Sequence, residues 1–362
     1  MKKLIYSLCL LTALPMGAQV TKTFTAACLN VDGLPPTVKA AGVVNVNLNK
    51  EGPQATGTKQ ISTLVANKGW DFFGVSEDFN YNDELMSELT GVYNAGTYRG
   101  KIPTSVGNVI PYLNGSKWFD TDGLNLLWRS GVKVSDEAWY LWNMRNGITN
   151  DGADQLIAKG FRYYCVTVAP GMEIDVYIHH MDAETTEKDN EAREVQMNQL
   201  VDKILASNNK RPIIIMGDSN CRYTRDKIQE IVFGRLNADD RFTVHDPWID
   251  FARKGVYPQV GDNAIMVPSK FDGTNHDAFQ TGEVVDKVWY IENADSPCTL
   301  KALNYLQDTD FTWPDGSEVS DHYPIVIDFE ITKNTSIVEG EYYIRNGEKD
   351  ENGMDRFITY GH

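Results

Sequence analysis

Six apolar segments of this sequence end on, or contain, a side chain that can bind a cation or transfer a proton. In one of them, PIIIMGDSN (212–220), an apolar run that predicts a buried strand stops at Gly217 and is followed by Asp218 and Asn220. A polar group without a partner is costly beside such a strand, so these side chains require an explanation. The other five segments carry Asn30; Glu77 and Asp78; His179, His180 and Asp182; Asp286; and Asp321 and His322.

Each of these polar residues has a structural explanation when it is taken alone. Asn and Asp after a strand usually form turns, and a single histidine within a strand is usually structural. These explanations do not account for six placements that share carboxylates, amides and imidazoles. That set suits a hard, oxygen-coordinated cation such as Mg²⁺ together with a bound phosphate. Zinc is disfavoured, because the sequence contains neither an HExxH motif nor a cysteine cluster.

The same segments predict the elements that position these residues. Helical spacing occurs around Ile61 after Thr58, between Met197 and Leu205, and around Ile228 with Thr224 as N-cap. Strands interrupted by helices predict an α/β domain of packed sheets covered by helices. The Gly-, Asn- and Asp-rich stretches 99–123 and 143–160 predict long surface loops. Eight runs rich in Val, Ile, Tyr and Phe predict strands at 23–30, 70–76, 124–128, 162–168, 174–180, 212–217, 284–291 and 324–331.

Three motifs resemble those of a known superfamily. GDSN resembles the GD-x-N motif of the endonuclease/exonuclease/phosphatase, or DNase-I-like, superfamily. VVDKVWYI (284–291) is similar to its D-x-[IV] strand, and SDHYPIVI (320–327) to its SDH-[YC]-P motif. The likeness extends over residues 23–331 and keeps the motifs in order. It implies a four-layer α-β-β-α sandwich with two mainly antiparallel sheets, and a site at one end between them.

The resemblance also implies metal-dependent attack of water on a phosphoester. If the roles of the superfamily's residues apply here, Glu77 would ligate Mg²⁺, and Asn30 beside it would bind the metal or the substrate. Asp321 could approach a second metal. Mn²⁺, Ca²⁺ and Co²⁺ are the alternative ions. The metal would polarise the phosphate and offset its charge as phosphorus gains a fifth oxygen.

The catalytic residues implied by the resemblance are His180, Asp218, Asn220, Asp286 and His322. His180 and Asn220 would bind and orient the phosphate. Asp218 and His322 would position and deprotonate the water. Asp286 would hydrogen bond to the His322 ring, which fixes the tautomer of the ring and raises its basicity.

Departures from the superfamily pattern are few. Ser76 stands where members usually have Gln, before the retained Glu77. His179 should face away from His180 by strand alternation, so we expect it to be structural. HHMDAE (179–184) followed by AREVQMNQL (192–200) resembles the H-x-Q-A-E and R-x-x-Q-x-x-Q-[LI] stretches of secreted sphingomyelinase-type phospholipases C, with Asp182 in place of Gln.

This likeness predicts a monomeric phosphodiesterase that cleaves a phospholipid headgroup, with lipid at a membrane surface as its partner. The tryptophans of KWFD (117–120) and EAWYLWN (137–143) would then either enter a membrane interface or pack inside the protein. A secreted nuclease is the first alternative. The net charge of −16 and the absence of an Arg/Lys cluster give no strong nucleic-acid signature.

Two further alternatives remain. An inositol-phosphate phosphatase should place several basic residues around its pocket, and Arg222, Arg225 and Lys287 are the candidates close to the motifs. A non-catalytic relative should have lost one of the ligands or bases, and the sequence retains all of them.

The two ends of the chain differ from its middle. MKKLIYSLCLLTALPMGAQV predicts a signal peptide over residues 1–18 and export to the periplasm or the exterior. No later run is long enough for a transmembrane helix. We expect a catalytic domain at 19–331 and a frayed C-terminal tail at 332–362. The remaining cysteines, predicted to be buried small side chains whose disulfide state the sequence leaves open, are Cys28, Cys165, Cys221 and Cys298.

Overall fold

A computed structural model of the chain describes residues 19–40, 44–47, 52–104, 112, 117–148, 151–259, 283, 285–334, 343–349 and 355–359. The predicted signal peptide, residues 1–18, lies outside the described residues. The strands are β1 (Gln19–Asn30), β2 (Thr37–Ala40), β3 (Val44–Asn47), β4 (Phe72–Ser76), β5 (Tyr93–Ala95), β6 (Asn125–Arg129), β7 (Lys133–Leu141), β8 (Gly160–Ala169), β9 (Met172–His180), β10 (Ile213–Asp218), β11 (Phe242–His245), β12 (Asp286–Asn293), β13 (Cys298–Ala302), β14 (Leu306–Gln307), β15 (Ile325–Asn334), β16 (Tyr343–Lys349) and β17 (Asp355–Thr359). The helices are α1 (Gln54–Lys68), α2 (Asn82–Leu85), α3 (Glu187–Leu205) and α4 (Arg235–Asn237), with a 3₁₀ helix (Asp151–Leu156) and two π-helical segments (Gln229–Gly234 and Trp248–Ala252).

Two sheets form the body of a compact unit, Thr21–Lys333. The first has the strand order β13-β15-β1-β4-β6-β5, with β14 beside β15, and the second has the order β11-β12-β10-β9-β8-β7. Strands β1 and β4 pair in parallel, as do β9 and β10, whereas the other registered pairs of the two sheets are antiparallel. The carboxyl ends of parallel strands lie at one edge of a sheet, where ligands commonly bind.

Strand alternation separates three apolar layers. Even-numbered residues of β9 and β10, such as Ile178 and Met216, face the core between the two sheets. Odd-numbered residues, such as Tyr177, pack against Leu200 and its neighbours on α3. On the first sheet, residues such as Phe73 pack with apolar side chains of α1. The order helix, sheet, sheet, helix confirms the predicted four-layer sandwich.

The sheets approach each other closely beside the polar strand ends. A Cβ atom at Gly74 of β4 would lie 2.7 Å from Ile178 Cγ2 and 3.3 Å from Met216 Sδ. A glycine is therefore required there for the two sheets to pack together.

All eight predicted strands are present, with ends shifted by a few residues. Strand β7 was not predicted, because a register shift between Ser135 and Ala138 interrupts its alternation. The helix expected to begin at Thr224 instead begins with the π-helical segment near Gln229. The frayed tail is also not what is found, since β16 and β17 pair antiparallel in a second unit.

Among the described residues, no helix is long and apolar enough to cross a membrane. The four predicted buried cysteines are indeed buried and carry free thiols: Cys28, Cys165, Cys221 and Cys298. The domain boundaries at 18 and 331 stay predictions.

Candidate active site

Strand register brings together the predicted residues of the second sheet. Asp218, the last residue of β10, lies opposite His180 at the end of β9 and opposite Asp286 at the start of β12. All three occupy the alternate positions that face the first sheet. Gly217 permits this close pairing, because a Cβ atom there would lie 2.0 Å from the carbonyl oxygen of His179.

Asn30, at the end of β1, bridges carboxylates from the two sheets. Its Nδ2 donates hydrogen bonds to Glu77 Oε1 and to Asp218 Oδ2, both at 3.0 Å. Its amide oxygen accepts the N–H of Asp32 at 2.9 Å. The role of Asn30 as a ligand of metal or substrate stays a prediction, since its amide oxygen keeps a second lone pair. In the described residues, its contacts fix the separation of two acids.

The predicted hydrogen bond between Asp286 and the His322 ring is present. His322 Nδ1 lies 2.5 Å from Asp286 Oδ2, and Nε2 lies 3.8 Å from Asp218 Oδ2 and 3.8 Å from Asp321 Oδ1. Burial opposes the charged ring, but Asp286 and Asp321 raise the pKa of His322 well above its usual value. The loop before His322 is held by Ser320, whose hydroxyl donates to the carbonyl of Asn30 at 2.8 Å.

His180 directs its Nε2 at two carboxylates, Glu77 Oε1 at 3.9 Å and Asp218 Oδ2 at 3.6 Å. Burial and the positive charge of Lys159 lower the pKa of His180 well below its usual value, so the ring is neutral. From the helix-covered side of the sheet, Trp142 Nε1 donates to the His180 carbonyl at 2.7 Å and fixes this end of β9.

Asn220 adopts a left-handed conformation, with φ of 49°, in the turn that follows β10. Its backbone N–H donates to Asp218 Oδ1 at 2.9 Å, and its Nδ2 donates to the Met181 carbonyl at 3.2 Å. These bonds hold its amide at Met181, the residue that follows His180, its predicted partner in phosphate binding.

The two acids bridged by Asn30 differ in proton affinity. Burial and the nearby Asp321 raise the pKa of Glu77 to about 7. Burial also acts on Asp218, but the charged ring of His322 and the backbone N–H of Asn220 lower the pKa of that carboxyl to about 2. The surroundings of Glu77 therefore contain too little positive charge to keep its carboxylate fully ionised at neutral pH, whereas Asp218 is ionised across the physiological range.

Among the residues that the structure describes, two groups of side chains could hold a metal ion, and each has its ligand atoms within 4.8 Å of one another. Asp286 Oδ1 and His180 Nδ1 are buried without a hydrogen-bond partner in the described part of the chain. Carboxylates with raised pKa and unpaired buried atoms fit a divalent cation that prefers oxygen ligands. The first group is Glu77, His180 and Asp218. The second is Asp218, Asp286 and His322.

Three other acidic residues at strand ends lie outside these groups. The Asp321 side chain is 58% exposed, and neither candidate group contains it. Asp78 accepts a hydrogen bond from Asn82 Nδ2 at 2.6 Å and supports its own loop. Asp182 is buried and accepts a hydrogen bond from Gln196 Nε2 at 2.6 Å.

Lys159 is the site residue that the sequence analysis missed. It is buried, forms an ion pair with Asp154 and donates to the Met181 carbonyl at 3.3 Å. Its positive charge favours the ionised forms of Glu77 and Asp218. The expectation that 143–160 is a surface loop is wrong for Lys159 and Asp154. A lysine flanked by apolar residues directly before β8 was the available signal.

The R-x-x-Q-x-x-Q spacing on α3 holds the loops behind the site, because residues three apart share a helix face. Arg193 Nη1 donates to the carbonyls of residues 182–184 at 2.8–3.1 Å. Gln196 binds the Asp182 side chain, and Gln199 Nε2 donates to the Leu141 carbonyl at 2.8 Å. The motif therefore supports the segment that directly follows His180.

Two of the three candidate phosphate-binding cations have internal partners. Lys287 is buried on the helix-covered face, where it pairs with Glu283 at 2.9 Å and lies over the rings of Tyr223 and Trp248. Arg225 pairs with Asp226 at 2.9 Å. Arg222 has a buried Nε without a partner in the described part of the chain.

Comparison with known proteins gives one kind of match at the sequence level. No family model matches the chain. A sphingomyelinase of Mycobacterium tuberculosis is 24% identical over 312 residues, which cover 86% of this chain and 53% of that protein. A sphingomyelinase of Mycobacterium bovis matches to the same extent. The chain therefore spans about half the length of the curated relatives it matches.

Solved structures share the architecture at low sequence identity. Beta toxin of Staphylococcus aureus superimposes with a TM-score of 0.53 at 17% identity, covering 84% of this chain and 99% of that one. TDP2 of D. rerio complexed with a single-strand DNA product has a TM-score of 0.53 at 14% identity, covering 85% and 98% of the two chains. SmcL has a TM-score of 0.52 at 16% identity, with coverage of 85% and 98%. These likenesses concern the fold.

Proposed function

The chain has the DNase-I-like fold of the endonuclease/exonuclease/phosphatase superfamily, as its motifs predicted, and from that premise we propose that it is a metal-dependent phosphodiesterase. The observation that carries this proposal is that two sets of side chains meet at Asp218. The Asp286–His322 pair lies on one side of Asp218, and Glu77 is fixed on the other by the Asn30 bridge. A proton-transferring pair thus lies beside a set of cation ligands.

We assign the activation of water to Asp218 and His322. The Asp218 carboxylate, with a pKa of about 2, is an ionised acceptor for a water hydrogen. His322 Nε2 faces the same carboxylate, while Nδ1 is bound to Asp286. Because the pKa of His322 is raised, the ring is charged at neutral pH before a cation binds, so it would accept the water proton at Nε2 only after losing the proton it already holds, with Asp286 stabilising the charged form.

We assign phosphate orientation to the neutral ring of His180 and the amide of Asn220. The hydrogen bonds of Asn220 to Asp218 and Met181 keep it at the end of β10. The carboxylates of Glu77 and Asp218 would hold the cation, for which Mg²⁺ is the proposed ion. When bound, it supplies Lewis-acid polarisation of the phosphate and neutralisation of charge.

The proposed substrate is a phospholipid headgroup diester. Its support is the likeness to two mycobacterial sphingomyelinases over 86% of this chain. Inositol phosphates are less favoured, because Lys287 and Arg225 are paired inside the protein. Nucleic acid is the second candidate, because a structure with the same fold holds a single-strand DNA product.

The aromatic segments divide between the two predicted roles. EAWYLWN lies largely in the edge strand β7, where Trp139 is half-buried under Arg99 and Tyr140 is half-buried; Trp142, just after the strand, is buried. In KWFD, Phe119 is buried but Trp118 is 40% exposed, with Arg145 over its ring. Trp118 is the most exposed aromatic side chain described in these segments and the candidate for contact with a lipid surface.

One substrate panel tests the proposal. Full-length protein is assayed on sphingomyelin vesicles, DNA, inositol phosphates and an aryl phosphodiester, each with Mg²⁺ and with a chelator. We expect chelator-sensitive release of phosphocholine from sphingomyelin, lost in Asp218→Ala and His322→Ala. DNA cleavage that declines steeply with salt, without lipid turnover, would support the nuclease instead. No turnover of any substrate, with no effect of Mg²⁺ on thermal stability, would support a non-catalytic relative.

A further inference from the structure

Glu77, the acid with the raised pKa, has an uncommon backbone. Its φ is 59°, in the left-handed region that residues with a side chain rarely adopt unless surrounding contacts impose it. The direction of the Glu77 carboxylate therefore depends on whatever holds this turn in place.

The turn after β4 is held by the turn after β1. The N–H of Val31 donates to the Ser76 carbonyl at 3.0 Å, and the N–H of Gly33 donates to the Glu77 carbonyl at 3.1 Å. In return, Gly33 accepts the N–H of Asn80 at 3.0 Å. The strained residue is thus bracketed by backbone hydrogen bonds from a single segment, residues 31–33.

Gly33 can make this contact because it has no side chain. A Cβ atom at Gly33 would lie 2.3 Å from the Glu77 carbonyl oxygen and 3.3 Å from the Phe79 nitrogen. Gly33 has no positive φ, so the close approach alone requires a glycine. Because the clashing atoms belong to the backbone, a larger residue must displace the Glu77 turn itself.

We propose that Gly33 is a positioning residue for the cation site, acting through the backbone of Glu77. It allows the β1 turn to lie against the Glu77 carbonyl, which keeps the left-handed turn closed and directs the carboxylate toward Asn30 Nδ2, 3.0 Å away. The inference rests on the proposed cation site but adds to it a residue that contributes no ligand atom.

The test compares Gly33→Ala with Gly131→Ala in the full-length protein. Gly131 also has no positive φ, and a Cβ atom there would meet nothing within 4 Å. Binding of Mn²⁺ is followed by the electron paramagnetic resonance signal of the free ion, and stability by urea unfolding. We expect Gly33→Ala to weaken Mn²⁺ binding by about tenfold or more, as loss of groups behind a ligand does, and Gly131→Ala to leave it unchanged.

A wild-type measurement covers the case in which Gly33→Ala does not fold. Protein labelled with ¹⁵N-glycine is titrated with Mg²⁺, and the Gly33 amide signal should shift with the affinity of the ion, while the Gly131 signal stays in place. Suppose that wild type binds the ion. If Gly33→Ala then binds it as tightly as Gly131→Ala, or the Gly33 signal does not shift, the role of Gly33 is refuted while the cation site stands. If wild type binds neither Mg²⁺ nor Mn²⁺, the cation site fails and the inference fails with it.

Discussion

His179 and His180 are consecutive residues at the end of β9, yet they lie in opposite surroundings. His180 faces the first sheet and points Nε2 at the carboxylates of Glu77 and Asp218. His179 faces the helix layer, where its ring stacks on Trp289 with centroids 6.2 Å apart and 14° between planes. Both ring nitrogens of His179 lack a hydrogen-bond partner within the described ranges. The face of the strand, and not the residue type, decides which histidine meets the acids.

The same contrast recurs one strand away in β12. Asp286 faces the site and binds His322, whereas Lys287 faces the helix layer and pairs with Glu283 between aromatic rings. Charged groups on the helix-covered face are internally neutralised. On the site face, Glu77 has a pKa raised to about 7. The second sheet therefore separates the neutralised pair of Lys287 and Glu283 from a group of acids that can bind a cation.

The largest effect should separate the two histidines. We expect His180→Ala to lower kcat/KM by about 10²–10³-fold, the range for loss of one group that stabilises the charge developing on the substrate. His179→Phe should keep kcat/KM within a few-fold of wild type, because it preserves the stacking on Trp289. Both are measured on the substrate that the panel identifies. Equal losses in the two variants would contradict the division between faces.

A second experiment tests the neutralised cluster. Lys287→Met leaves the buried Glu283 without its cation, and we expect a loss of about 3–5 kcal/mol in the free energy of unfolding at neutral pH. Adding Glu283→Gln should recover much of that loss. Urea unfolding measures both, with turnover per folded molecule as the control. A single variant as stable as wild type would show that the ion pair is not needed.

The third prediction concerns acid stability. Burial lowers the pKa of His179 from its ordinary value of 6.5 to about 4. Above pH 6.5 the residue is neutral in both states and has no effect; as pH falls from 6.5 to 4, only the unfolded chain takes up the proton, so stability is lost. By pH 4.5 the loss should be about 2–3 kcal/mol, and His179→Phe should lack it. Urea unfolding at pH 7 and 4.5 gives the comparison, which fails if both proteins lose equal stability.

The smallest expected effect concerns a hydrogen bond that joins the helix-covered face of the second sheet to the site face. Trp142 belongs to the helix-side core but donates to the carbonyl of His180. Trp142→Phe removes this bond and should cost about 1 kcal/mol in unfolding free energy, with a several-fold lower kcat. Tyr140→Phe, two residues earlier near the end of β7 and with no hydroxyl contact to the site, serves as the matched control. If both variants had the same kcat, the bond would not contribute to the position of His180.

Most of the fold and part of the candidate site could be predicted from local patterns. Apolar runs located the eight strands, and alternation separated His179 from His180. The bridging role of Asn30 could not be predicted, since it joins Asp218, 188 residues away in the chain. The burial of Lys159 was missed because composition describes a loop by what it contains, whereas burial depends on what packs over it.

The sequence by itself determined the chemical inventory, the strand faces and the order of the motifs, because side-chain alternation and turn chemistry act over a few residues. Only the tertiary structure decided which turns touch. Three features of the site come from the ends of different strands: the left-handed Glu77, Gly33 against its carbonyl, and the Asn30 amide between two acids. The contact between Gly33 and Glu77 depends on the pairing of β1 with β4, and the bridge from Asn30 to Asp218 depends on how closely the two sheets pack; no short segment encodes either.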